Sequence, residues 1–376
     1  MSTVKDPRVF LASCKDYGEA ESAVRRIFDA SGGAKALLAG RGRVLVKPNL
    51  LLPRKPESAT TTHPLVVAAV CRVFTEAGAS VEVIDSTGAP HTAAMLKRLY
   101  SRCGLEETVP PTGALLLTDT ASVTLKTEGR TVGSFSCLKA AAEAELVVSV
   151  AKAKTHGLAY FTGCAKNMFG CLTGMDKPLY HGKYLSRERF FSAVTDICEA
   201  VGPGFCILDG VVGMDGNGPS GGSPCPWGVI LGGVNPHTVD LAACSLISLR
   251  AERVPMLVQA QKRGLIPASA SELQWLGDER EANCKSFRPP GTERGFVFLI
   301  SKLLPRRLRR KVREKGAKYP VVSSRCIGCG DCVRVCPKRA IAFSGRVASV
   351  NTDSCIKCYC CHEFCPVGAI DYAKKR

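Results

Sequence analysis

Acidic residues are scarce in this chain: 33 Asp and Glu stand against 51 Lys and Arg in 376 residues, a formal charge of +18. Aromatic residues are scarce as well, at 6%. That leaves few platforms for base stacking, and with no recognisable binding module it argues against nucleic acid as the partner of the positive charge. No Gly-x-Gly-x-x-Gly follows the early strand-like runs, so no tightly held nicotinamide cofactor is expected. No apolar run approaches the roughly 18 to 20 residues that a bilayer span needs; the longest exposed-looking one is Phe296 to Ile300. Residues Met1 to Pro7 carry no basic-then-apolar signal pattern. The 20 cysteines are therefore read as reduced thiols of a cytoplasmic protein and not as a disulfide framework.

Nine of those cysteines crowd into the last fifty-one residues, eight of them in two copies of one pattern. The first is Cys326-x-x-Cys329-x-x-Cys332-x-x-x-Cys336-Pro337; the second, twenty-nine residues on, is Cys355-x-x-Cys358-x-x-Cys361-x-x-x-Cys365-Pro366. Three thiolates at intervals of three wrap one corner of an iron–sulfur cube, and the fourth, followed by proline, is carried to the neighbouring cube. The spacing predicts two 4Fe–4S clusters with crossed ligation: Cys326, Cys329, Cys332 and Cys365 for one, Cys355, Cys358, Cys361 and Cys336 for the other. Structural zinc sites pair short two-ligand hooks, and neither copy is built that way. Cys360 breaks the spacing and reads as a non-ligand beside the second cluster. This tail resembles a two-cluster bacterial ferredoxin.

The rest of the chain alternates strand-like and helix-like segments, which predicts an α/β fold with a mainly parallel sheet. The expected strands are 8–12, 43–46, 81–84, 146–150, 205–208 and 229–231, with an antiparallel insertion or edge hairpin between Leu115 and Ser136. Residues 251–290 read as helical and then irregular. The predicted organisation is an α/β domain over 1–290, a basic amphipathic linker over 291–318, and a small α+β ferredoxin-like domain over 319–376. Lys302 to Lys318 holds nine basic residues against Glu314. Its first reading is a helix packing the tail onto the main domain; its second is a peripheral membrane contact through 296–315.

Ligands of open α/β sheets bind outside the carboxyl ends of the strands, where loops converge and helix N-termini favour anions. Polar residues recur at that edge: Lys47 and Asn49, Asp85 and Ser86, then Lys152, Lys154 and His156, and Asp209. A loop with Gly163, Lys166, Asn167 and Gly170 follows. Lys166 has apolar neighbours, a setting that lowers a lysine pKa and fits it for proton transfer.

Lys47-Pro48-Asn49-Leu50, Thr61-Thr62-His63-Pro64, Lys152-Ala-Lys154-Thr155-His156, Lys166-Asn167-x-x-Gly170 and Cys358-Tyr-Cys-Cys361-His362-Glu363 together resemble the iron–sulfur proteins catalogued as domain of unknown function 362. That resemblance implies two 4Fe–4S clusters and an oxidoreductase role, with no settled substrate. A fainter likeness, through Gly88-Ala-Pro-His91, His156 and Lys166, is to the catalytic domain of lactate racemase. There the corresponding positions serve proton and hydride chemistry and hold a nickel-pincer cofactor. Pro90, the Asn167-to-Gly170 stretch and the cysteine tail depart from that family and weigh against nickel. The expected function is transfer of low-potential electrons to a small anionic metabolite. Lys47, Asn49, Asp85, Ser86, Lys152, Asn167 and Asp209 would bind it, and His156, Lys166 and Lys154 would act on it. The expected electron donor is a ferredoxin, a flavodoxin or a redox enzyme. An adaptor without catalysis and a racemase-like isomerase stand as the alternatives.

Overall fold

The computed structural model describes residues 5–86, 91–279, 287–290 and 318–374. Nearly all of the basic linker, and with it the membrane-contact segment 296–315, lies outside the described residues.

The strands are β1 (Arg8–Ser13), β2 (Arg43–Pro48), β3 (Ser80–Val83), β4 (Leu115–Leu116), β5 (Ser122–Lys126), β6 (Ser134–Leu138), β7 (Leu146–His156), β8 (Tyr160–Thr162), β9 (Phe205–Asp215), β10 (Ser223–Gly233) and β11 (Gln274–Gly277). Among the described residues they form a nine-stranded sheet in the order β11-β1-β10-β9-β7-β2-β3-β4, with β8 folded back on β7 and a separate β5–β6 hairpin. Neighbours β3–β4, β2–β3, β2–β7, β7–β9 and β1–β11 run parallel, whereas β10 is antiparallel to both β1 and β9. The mainly parallel α/β architecture therefore holds.

Helices cover both faces. Successive strand residues point to opposite sides, and on β10 a Cβ at Gly232 would meet Ile27 while one at Gly233 would meet Val239. Helix Ala20–Ala30, which packs on Pro64–Glu76, thus lies on one face, and helix Pro236–Leu246 lies on the other. The first buries Ala20, Val24, Ile27 and Phe28; the last is capped by Asn235, whose side chain accepts from the amides of His237 and Thr238. Central strand β7 is buried along its whole length, as a strand covered on both faces requires.

Three elements differ from expectation. Leu115 and Leu116 join the main sheet parallel to β3, so the insertion is only the hairpin that follows. β7 and β9 run well past the predicted ends, and their polar residues lie within strands and not in exit turns. Gln274–Gly277, in the stretch read as irregular, is an edge strand on β1.

The cysteine module is built from β12 (Lys318–Val322), β13 (Ile341–Ser344), β14 (Val347–Val350) and β15 (Ile370–Lys374), paired as β12–β15 and β13–β14, with one-turn helices Asp331–Arg334 and Cys360–Glu363. It packs on the α/β domain. His362 places its ring nitrogens 2.8 Å from Asn217 O and 2.5 Å from Ile370 O, Ser220 Oγ donates to His362 O at 3.1 Å, and Arg54 Nη2 donates to Cys365 O at 3.0 Å.

Candidate functional site

Period-two geometry puts Lys152, Lys154 and His156 on one face of β7, each in contact with a different partner. Lys152 is the register neighbour of Asp209 on β9, and its Nζ lies 2.9 Å from Asp209 Oδ2 and 2.7 Å from Tyr17 Oη. Tyr17 donates to Asp209 Oδ1 at 3.2 Å and stacks on the His63 ring. Burial pushes the Lys152 pKa down, opposed by Asp209. Lys154 donates at 2.7 Å to both Asn49 Oδ1 and Thr60 O. Burial lowers its pKa to about 7, helped by Lys166 and Lys152 and opposed by Glu363. Nδ1 of His156 accepts from Leu158 N at 3.0 Å, and Nε2 is buried without a hydrogen-bond partner among the described residues. Burial, reinforced by Lys166, holds this imidazole well below its ordinary pKa.

On β2, fully buried Lys47 pairs with Asp85 Oδ1 at 2.6 Å and donates to Asn167 Oδ1 at 3.0 Å. Asn167 donates in turn to Lys47 O and Ser149 Oγ, so its amide ties β2 and β7 together. A Cβ at Gly170 would fall 2.5 Å from Lys47 Nζ; only glycine lets the loop close over this pair. The turn that opens the loop is fixed by Asp240, whose carboxylate accepts from Cys164 N at 2.6 Å and Ala165 N at 3.1 Å. Burial raises that carboxyl to about 7 against those two hydrogen bonds.

Above this network lies an open cleft. Asn49, Asp85, Ser86, Lys166 and Asn167 line it from the α/β domain, joined by Phe169, Lys177 and His181, and Cys360, Glu363 and Phe364 line it from the module. Lys166 has no ion pair among the described residues and lies over the Phe169 ring. Lys177 donates to Ser86 O; burial lowers its pKa to about 8, with Asp85 opposing and Lys47 adding. His181, stacked on Phe190, is held near 3 by burial and Lys166. Lys166 and Lys177 thus share the cleft wall with Asp85 and Glu363, while Lys47 and Lys154 lie beneath it.

Five of the ten α/β residues singled out in the sequence reach the cleft wall. Lys47, Lys152, Lys154 and Asp209 are consumed by buried pairing beneath it, and His156 approaches it only through Glu363, with Nε2 3.6 Å from Glu363 Oε2. The reason is the length of β7, which carries His156 past the turn and under the module. Sequence reasoning missed Lys177 and His181, whose four-residue spacing on helix Asp176–Lys183 puts both on one face. It also missed Glu363, hidden between two cysteines.

In the module, Cys326, Cys329, Cys332 and Cys365 line one depression. Cys355, Cys358 and Cys336 are neighbours of Cys361. Cys365 thus lies with the first three cysteines of the first motif, and Cys336 lies near Cys355; Cys361 also has Cys332 as a neighbour. Backbone amides of Ala340, Lys357 and Ala369 donate to the sulfurs of Cys336, Cys355 and Cys365 at 3.2, 3.4 and 3.1 Å, the bonds that stabilise thiolate ligands of a cluster. Among the described residues no three His, Cys, Asp or Glu side chains close on a single metal ion. Four sulfurs around a cavity fit a 4Fe–4S group. Cys360 hydrogen-bonds Cys358 and packs with Leu52, Val335 and Phe364.

Residues 44–245, more than half of the chain, match the domain of unknown function (DUF362). The chain belongs to the DUF362 family. In this DUF362 chain residues 319–366 match a 4Fe–4S dicluster domain, making it an iron–sulfur protein with an electron-transfer module. The thylakoid-associated protein sll1697 of Synechocystis sp. is 26% identical over 309 residues, covering 80% of this chain and 92% of that one. The lactate racemase apoprotein of Thermoanaerobacterium thermosaccharolyticum aligns at a TM-score of 0.43 and 17% identity, over 64% of this chain and 57% of that one, little more than half its length. No helix among the described residues of the DUF362 chain is long and apolar enough to cross a membrane.

Proposed function

We propose that this chain is an iron–sulfur reductase that passes electrons from two 4Fe–4S clusters to a small anionic metabolite in the cleft. One observation carries the reading: Cys360, Glu363 and Phe364, which form the module's wall of the cleft, are the residues around and between Cys361 and Cys365, one from each cysteine set. A ligand in the cleft would touch the segment that joins both sets. When bound, the 4Fe–4S groups supply one-electron reducing equivalents at low potential.

The protein's own residues supply binding and protons. Lys166 and Lys177 present ammonium groups to the anion, while Asn49 and Asn167, locked by Lys154 and Lys47, hold amides at fixed positions. Lys177 and Lys154, with pKa values lowered to about 8 and about 7, release a proton near neutrality more readily than a solvated lysine. His156, neutral and seated behind Glu363, positions that carboxylate.

Metabolite profiling of a deletion strain, followed by an anaerobic assay of the accumulated compound with purified protein and a chemical reductant, tests this. Reductant-dependent consumption is expected. Consumption without reductant, or none until a partner enzyme is added, rejects it in favour of an isomerase or an adaptor.

A further inference from the structure

The cysteine module is an internal repeat whose halves are covered unequally. β12, helix Asp331–Arg334 and β13 recur twenty-nine residues later as β14, helix Cys360–Glu363 and β15. The left-handed backbone positions recur with them: Gly328 and Lys357, Gly330 and Tyr359, Arg339 and Gly368. In the second half the helix is turned to the α/β domain, where Glu363 meets His156 and His362 meets Asn217. Tyr372 is packed between Tyr359 and His362.

Among the described residues the counterparts in the first half have no such cover. Ile327, counterpart of half-buried Ile356, is 64% exposed, and Phe343, counterpart of Tyr372, is 46% exposed; Val367 beside them is 37% exposed. All three line the cavity of Cys326, Cys329, Cys332 and Cys365, and Cys329 is itself exposed. The backbone carbonyl of Arg346, a residue exposed at the β13–β14 turn, approaches Gly328, and the Arg334 guanidinium stands beside Gly330. Arg334 occupies the position that Glu363 holds in the other half, so the charge is reversed. Residues 318–374 contain eight Lys and Arg against four acids. Glu363 faces the cleft, and Asp331 and Asp371 are paired with Arg334 and Arg325.

We propose that this open half is the docking surface of a small acidic one-electron carrier protein, which loads the module at the Cys326, Cys329, Cys332 and Cys365 set. An apolar centre flanked by Arg334 and the exposed Arg346, on a module with a surplus of basic residues, excludes water at the point of closest approach and steers an acidic partner onto it. The carrier is oxidised by one electron and the module reduced by one; no bond forms or breaks. Only the direction of flow rests on the proposed reductase function.

The test uses full-length reconstituted protein, no substrate, and reduced flavodoxin as probe, with cluster reduction followed by stopped flow. Arg346→Glu and Ile327→Glu should each slow the second-order rate by roughly tenfold or more, and the wild-type rate should fall as salt rises. Leu115→Glu, at a 59% exposed position on the α/β domain, should leave the rate unchanged. Dithionite should reduce all variants alike, with equal iron content. Reduction of Arg346→Glu and Ile327→Glu at the wild-type rate, or an equal loss in Leu115→Glu, overturns the surface. If Ile327→Glu loses iron, exposed Arg346 decides alone. Since no substrate is present, this outcome is separate from whether the cleft reduces a metabolite.

Discussion

Nε2 of His156, at the end of β7, lies 3.6 Å from Oε2 of Glu363, in the helix that starts between two cysteines of the second motif. Nδ1 accepts from the Leu158 amide, so in the neutral ring Nε2 carries the proton and directs it at the carboxylate. The contact joins the α/β domain to the module at the cleft wall. At 3.6 Å the contact is a dipole facing a charge and not a hydrogen bond, so Glu363→Ala should cost less than a lost hydrogen bond, about 1 kcal/mol or under. Thermal unfolding should shift down accordingly while iron content, which depends on the cysteines, stays unchanged; loss of iron would show that Glu363 belongs to the cluster environment.

Lys177 gives the cleft a pH dependence. An ordinary lysine holds its proton to 10.5, but this one is lowered to about 8, so its ammonium is complete below about 7 and lost as pH rises through 8. Affinity for the anionic substrate identified by the deletion-strain assay should therefore fall roughly tenfold or more between pH 7 and 9. Lys177→Arg, charged throughout, should flatten that profile. A profile that stays steep in the Arg variant places the titrating group elsewhere.

Lys47 and Asp85 form a buried pair at 2.6 Å, and Asp85 Oδ2 also accepts from Leu50 N at 2.7 Å. Removing one charge strands the other in the interior, which costs about 3–5 kcal/mol. Asp85→Ala should lose that much in chemical denaturation, and Asp85→Ala with Lys47→Met should recover part of it. A single variant as stable as wild type would mean that water reaches the pair.

The sheet and the cysteine repeat were legible because periodicity and spacing are local signals. β2, β3 and the spacing within each cysteine motif follow from residues within a few positions of one another. The site was legible only in part. Lys152, Lys154 and His156 read as the polar end of a strand, yet Asp209, Asn49 and Glu363 provide partners from far along the chain that let β7 continue through them. Glu363 gave no separate signal, because the cysteines on either side account for its segment. Lys177 and His181 sat in a short helix with no apolar stripe to announce it. The direction of β10 was not legible, since it is set by its partners β1 and β9 and not by Val229 to Leu231.

Two complete cysteine sets predict about eight iron and eight acid-labile sulfide per chain after anaerobic reconstitution. A saturated value near four, or stoichiometric zinc, would defeat two clusters. Cys336 is a neighbour of Cys355 and Cys361. Cys336→Ala should accordingly perturb the cluster bound by the second motif, with spectra of the first little changed. Damage confined to the first cluster would refute the crossing.

The sharpest division between an enzyme and an adaptor runs through Lys166. Its ammonium lines the cleft, has no ion pair among the described residues, and lies 6.0 Å above the Phe169 ring centre. Because nothing in the fold depends on that charge, Lys166→Met should keep the thermal midpoint and the iron content of wild type. If the anion is held there, turnover of the true substrate should drop on the order of 10²-fold or more, the scale of a lost positioning contact. His156→Gln, one layer back behind Glu363, should lose less and mainly in kcat, because it orients a carboxylate and touches no substrate. Reduction of the clusters by a chemical reductant should be the same in all three proteins. Full turnover in Lys166→Met would move the reaction out of this cleft, whatever the clusters do.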